Sequence, residues 1–260
     1  NAQDFQGKAY YFSKSTMDLG NWGARFSEAQ KKQIMARLKN RLEKTYVLTF
    51  NKEESMFKQE EKLDVDAMSG ATNSWGKNFS QGNQYKNVKT NEQIQKQEFY
   101  GKQFLVKDNL QPIEWDLHTE TKQIGNYTCF KATASLPTAE LTWYDFSWDR
   151  LSNGTQNETD ESEDVEIKED TVEMTEIEAW YAPQIPVRHG PSEYWGLPGL
   201  ILEVSAGNTT MLCTKIVMNS DENEKIDAPQ RGKEITKEEY QKTISAKMKE
   251  FRDNRVRQRG

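Results

Sequence analysis

Apolar residues come along this chain in short bursts separated by polar turns, the rhythm of an antiparallel β protein. Residues 5–13 (FQGKAYYFS) are rich in aromatics and bounded by turn formers, which predicts a first strand. The period then changes. Ser27-Glu28-Ala29-Gln30 makes a capping box, in which the serine hydroxyl takes a free N–H of the first turn and the glutamine reaches back. Behind it Ile34, Met35, Leu38 and Leu42 fall on one face at helical spacing, with lysines and arginines opposite, so this helix is expected to pack on a sheet.

Residues 46–50 (YVLTF) and 55–61 flank the turn Asn51-Lys52-Glu53-Glu54 and predict a hairpin. Residues 64–97, rich in Ser, Asn, Gly and Gln with isolated Trp75, Phe79 and Tyr85, read as a long loop. Strands are predicted again at 98–106, 113–117 and 126–134. After a dense acidic run over 153–178, read as a solvated loop, they return at 179–182, 199–205 and 210–218. A second capping box, Thr236-Lys237-Glu238-Glu239, opens a C-terminal helix with an apolar stripe of Tyr240, Ile244, Met248 and Phe251. Six basic residues gather over 247–259, where they suit the negative end of the helix dipole and offer a contact for a partner or for phospholipid headgroups.

The expected fold class is therefore mainly β (α+β). It is a large curved antiparallel sheet with one helix in the N-terminal region and an amphipathic helix at the C-terminus. We divide the chain into a single domain over 1–219, carrying the acidic insertion at 153–178, and a linker with the basic helix over 220–260.

With 260 residues, 35% of them hydrophobic, the chain has enough material for a sizeable core, while 29% charged residues and a mean hydropathy of -0.95 imply long polar loops around it. A net charge of -6 argues against non-specific DNA binding. No apolar run approaches the roughly 18 to 20 residues needed to span a bilayer, so an integral helical membrane protein is not expected. The start at Asn1-Ala2-Gln3, with neither Met nor a basic-then-apolar leader, reads as a mature exported chain whose signal has been removed.

Recognisable catalytic chemistry is sparse. The histidines, His118 and His189, lie in unrelated segments without HExxH spacing, so we expect no metal, and no phosphate-binding glycine loop or G-x-S-x-G elbow suggests a cofactor or a nucleophile. The acidic run lacks the EF-hand spacing with its central glycine. Cys129 and Cys213 would form one disulfide if their strands were neighbours, and otherwise are two half-buried thiols.

One block is distinctive. Prolines 183, 186, 191 and 198 remove backbone donors, so 183–198 must be an ordered crossing loop rather than central strands. Gly196 and Gly199 bracket Pro198 and permit a tight turn that delivers Leu200 and Ile201 into the core. Trp180, Tyr181, Tyr194 and Trp195 supply large amphipathic surface and Arg188 and His189 polar ends. The block is then either a purely structural turn or one wall of a groove for an apolar or peptide ligand.

The hexapeptide Gly196-Leu197-Pro198-Gly199-Leu200-Ile201 resembles the signature of the GLPGLI family of exported Bacteroidetes proteins. Trp180-Tyr181, Ile185-Pro186 and Gly190-Pro191 are similar to its usual companions. So are Phe50-Asn51-Lys52 with Ser55, and Ile113-Glu114-Trp115 followed by the stretch from Ile124 to Ala132. The resemblance implies export to the periplasm or outer membrane, with no defined activity. Its expected partners are an outer-membrane or periplasmic protein, or a lipid or peptide ligand, and not nucleic acid. In that phylum Asp170-Thr171-Val172 resembles an O-glycosylation acceptor, with Thr171 as the modified residue, whereas the Asn-x-Ser/Thr triplets at Asn78, Asn126, Asn153, Asn157 and Asn208 mean little. Three functions are weighed: a binding or accessory protein, possibly within an outer-membrane transport or assembly complex; a carrier of hydrophobic ligands or lipoproteins in a LolA-like half-barrel; and a hydrolase with an unrecognised site.

Overall fold

The computed structural model describes residues 5–17, 25–60, 81–146, 172–219 and 225–257. Thr171, most of the acidic run, Trp75, Phe79 and the triplets at Asn78, Asn153 and Asn157 lie outside the described residues.

The first strand, β1 (Gln6–Ser15), alternates half-buried and buried positions, as a half-exposed strand must. It joins two arms of one twelve-stranded sheet, pairing on one side with β2 (Glu43–Asn51) and on the other with β11 (Thr209–Met218). Outward from β2 run β3 (Glu54–Gln59), β4 (Gln84–Asn87), β5 (Glu92–Phe99), β6 (Lys102–Asn109) and the short β12 (Lys233–Ile235). Outward from β11 run β10 (Leu200–Ala206), β9 (Met174–Ala182), β8 (Tyr127–Pro137) and β7 (Asp116–Ile124). Every pair is antiparallel except β12 on β6, so the sheet is mixed, and it is open, with β12 and β7 at its edges.

Helix α1 (Glu28–Leu42) starts at the expected box, with Ser27 Oγ accepting from Gln30 N and Gln30 Oε1 from Ser27 N. A single turn, α2 (Thr138–Leu141), follows β8. Helix α3 (Lys237–Arg257) has the second box, with Thr236 and Glu239 bonded reciprocally. Its stripe of Tyr240, Ile244 and Met248 is buried against Phe99, Phe104, Val106 and Trp143.

Three strand readings are corrected. The supposed loop over 64–97 contains β4 and β5, because Gln93, Gln95 and Gln97 occupy buried positions where the pattern would call for apolar residues. The single strand at 98–106 is two, broken by a hairpin turn in which Tyr100 and Gly101 both take positive φ (48° and 76°), the geometry that follows the twist of the flanking strands. The acidic insertion ends earlier than 178, since β9 starts at Met174 and places Ile177 in the core.

Candidate functional site: a strap between the arms of the sheet

Residues 183–199 cross from β9 to β10 as a strap. Its main-chain hydrogen bonds are its own: Gly196 N donates to Arg188 O, Tyr194 N to Pro191 O, Leu200 N to Ile185 O and Ile201 N to His189 O. Glycine is required where the strap meets the sheet. A Cβ on Gly199 would stand 2.4 Å from Ala182 O, and Gly196 has φ +101° with the Trp115 ring beside it. Ile185 and Val187 enter one core cluster with Tyr11, Phe50, Leu200 and Leu202, while Tyr194 and Leu197 enter another with Ile177, Tyr181 and Ile201.

The other arm of the sheet grips this strap through side chains. Lys86 on β4 is fully buried, and its Nζ donates to three strap carbonyls, Gly190 O (2.9 Å), Ser192 O (2.6 Å) and Tyr194 O (3.3 Å). On a flat sheet β4 and β10 would lie about 24 Å apart, five spacings of about 4.8 Å, so the sheet must curl for one lysine to reach a loop anchored on β10. Glu193, its side chain only 10% exposed, accepts from Gln84 Nε2 (2.9 Å), Gln93 Nε2 (3.0 Å), Trp143 Nε1 (3.1 Å) and Lys237 Nζ (3.2 Å). Ser192 exchanges two bonds with the Gln81 amide. The strap is thus tied to β4, β5, the segment after α2 and the first turn of α3.

The charges respond to this burial. Desolvation draws the Lys86 ammonium down to about 7, with Glu193 opposing and Lys237 assisting. Three carbonyl acceptors further favour the protonated form, since only –NH3+ carries three N–H groups. Burial alone would raise the Glu193 carboxyl, but Lys237, the donors from Gln93 and Trp143, and the charge of Lys86 outweigh it and hold the group below its ordinary value. His189 is fully buried, its Nε2 3.0 Å from Asn51 O and its Nδ1 without a hydrogen-bond partner among the described residues. Burial first, and the Lys86 charge second, push its pKa down to about 3, against the Asn51 bond. The ring is therefore neutral, donating from Nε2.

Of the residues read from sequence as a groove wall, Trp180, Tyr181, Tyr194, Trp195 and His189 are all buried, and Arg188 is exposed with its guanidinium over the Trp195 ring. Trp195 donates from Nε1 to Gln111 O and accepts at its carbonyl from Trp115 Nε1. Trp180 donates to Glu178 and lies under Lys122. These aromatics pack the interior rather than line an open groove. Cys129 and Cys213 are free thiols in one cluster, on strands separated by β9 and β10, and burial pushes them up to about 11 and about 12. His118 lies exposed on β7, bonded to Thr133. Among the described residues no group of three or more His, Cys, Asp or Glu is placed to hold a metal ion. Sequence reasoning missed Lys86, Gln84, Gln93, Trp143 and Glu193. The signal available for part of this set was the period-two spacing of Gln93, Gln95 and Gln97.

A family model described as a protein of unknown function (Porph_ging) matches residues 115–203, a stretch that includes the strap and the 196–201 hexapeptide. No curated protein matches the chain. Among solved structures, PNGF-II in a C2 space group aligns over 92% of this chain at 15% identity with a TM-score of 0.52, and PNGF-II in a P21 space group aligns over 87% at 15% identity with a TM-score of 0.46. The likeness to the first is one of fold. This chain spans 32% of that longer chain.

Proposed function

We propose that this is a GLPGLI-type, exported, envelope-associated protein that works by binding a protein partner, as an accessory subunit rather than as a carrier or an enzyme. The observation that carries the reading is the strap itself. Its aromatics Tyr194 and Trp195 and its carboxylate Glu193 are consumed in closing the space between the two arms of the sheet, where a half-barrel carrier would hold its hydrophobic cargo. Among the described residues no helix is long and apolar enough to cross a membrane. Outer-membrane transport or assembly is the setting we infer from the family resemblance.

Gentle affinity isolation of the tagged chain from its native envelope, with chemical cross-linking and mass spectrometry of proteins and lipids, tests this reading. It expects a stoichiometric envelope protein cross-linked to the chain. A lipid-loaded monomer with no protein partner would overturn it in favour of a carrier.

A further inference from the structure

The strap is held in the way a peptide is held by a receptor. Tyr194 N, Gly196 N, Leu200 N and Ile201 N all donate within the strap, and Leu200 and Ile201 pair with Ala182 and Tyr181 of β9 rather than with the β2–β6 arm. Strands β4 and β5 contact the strap with a cation on three backbone carbonyls and two amide donors on one carboxylate, Trp143 and Lys237 add two donors to that carboxylate, the Gln81 amide bonds Ser192, and His189 Nε2 donates to Asn51 O on β2. Undocking residues 190–195 would therefore break no ladder of the sheet; it would give up these side-chain bonds, the bonds of Trp195 to Trp115 and Gln111, and the burial of Tyr194 and Trp195. Ser192 sits at φ +51°, an uncommon conformation for a residue with a Cβ and one that undocking would relax.

We propose that β4, β5, Trp143 and the start of α3 form a cleft for an extended acidic peptide, that residues 190–195 are its intramolecular occupant, and that an acidic segment of the partner displaces them. The inference rests on the binding role proposed above and names the chemistry of the ligand. Charge complementarity commits it to an acidic peptide. The cleft presents two ammonium groups, Lys86 and Lys237, the amides of Gln84 and Gln93 and an indole N–H, and the occupant offers one carboxylate flanked by carbonyls. Lys86 recognises only backbone, so the requirement on sequence is one acidic side chain at the position of Glu193, followed by two aromatic side chains to take the buried places of Tyr194 and Trp195.

The probe is a synthetic peptide, His-Gly-Pro-Ser-Glu-Tyr-Trp-Gly, with a second peptide carrying Gln in place of Glu. Glu193→Gln removes the charge that holds the strap, and Ser192→Ala removes the Gln81 bonds while leaving every charge in place. Hydrogen exchange over 188–196 is expected to accelerate in both variants, with β9 and β10 unchanged. By fluorescence anisotropy the Glu193→Gln chain should take up the Glu peptide about tenfold or more tighter than the unmodified chain does, and the Gln peptide about tenfold or more weaker than the Glu peptide. Ser192→Ala should fall between. A folded variant whose strap exchanges no faster, or which fails to distinguish the two peptides, overturns the proposal. If Glu193→Gln does not fold, Ser192→Ala decides on the same readouts, and failure of both to fold also overturns it, because the strap would then be inseparable from the fold. The titration uses purified chain alone, so its failure is distinct from failure to recover a partner from the envelope.

Discussion

Replacing Lys86 with methionine keeps most of the buried aliphatic stem and removes the ammonium that three strap carbonyls share. Each carbonyl left without a donor in the interior costs about 1–3 kcal/mol, so the three together lose about 3–9 kcal/mol. The opposing gain is relief of a buried charge. Burial lowers the lysine from 10.5 to about 7, equivalent to roughly 4–5 kcal/mol at neutral pH, and the same carbonyls shrink that figure. The balance favours the native lysine, and we expect Lys86→Met to lose about 2 kcal/mol, seen as a lower midpoint in urea at unchanged slope when followed by tryptophan fluorescence. The lysine also leaves a signature in pH. Its folded pKa is depressed below the unfolded value of 10.5, so the unfolded chain binds more protons above about pH 7, and the native protein should gain stability relative to Lys86→Met between pH 7 and 9.5. A variant as stable as, or more stable than, the native chain at pH 7 would refute the view of Lys86 as a clamp and leave it a tolerated buried charge.

His189 sets acid sensitivity. Its pKa is pushed from 6.5 down to about 3, so stability should fall as pH drops through that window, by on the order of 5 kcal/mol, and His189→Gln should flatten a plot of urea midpoint against pH. Gly199→Ala would bring a methyl group within 2.4 Å of Ala182 O, a backbone atom that cannot yield, and should cost about 1–3 kcal/mol or more by thermal unfolding. Trp195→Ala, at a side chain only 7% exposed, should lower stability by about 3–5 kcal/mol in calorimetry, where a groove residue would have been nearly neutral.

Much of the architecture was legible because it obeys local rules. Both capping boxes, the β2–β3 hairpin and the Tyr240–Ile244–Met248 stripe come from spacing alone, and the structure contains each of them. The strands that escaped are those whose buried face is polar or absent. In β5 glutamines take the inner positions, and β7, at the sheet edge, is exposed along almost its whole length; neither shows the alternation of apolar and polar residues, so β5 was read mostly as loop and the strand expected at 113–117 lies instead at Asp116–Ile124. The strap was legible as an ordered proline-rich crossing, but its setting was not. Whether its aromatics line a groove or fill a core depends on what stands opposite, and that is Lys86, more than 100 positions away from the carbonyls it holds. A lone lysine in a Gln- and Asn-rich stretch carries no local mark of this role. The charge on Glu193 is likewise explained only by four donors drawn from four separate segments.

We propose that the strap, whose Ile185, Val187, Tyr194 and Leu197 enter the core, leaves no room for a hydrophobic ligand between the arms of the sheet. Native mass spectrometry of the chain isolated gently from its native cells tests this most directly. The expected result is the mass of the polypeptide, with any covalent modification, and no lipid adduct that survives desolvation. A one-to-one adduct with a lipid or an acyl chain would contradict it and show that the strap leaves room for a ligand.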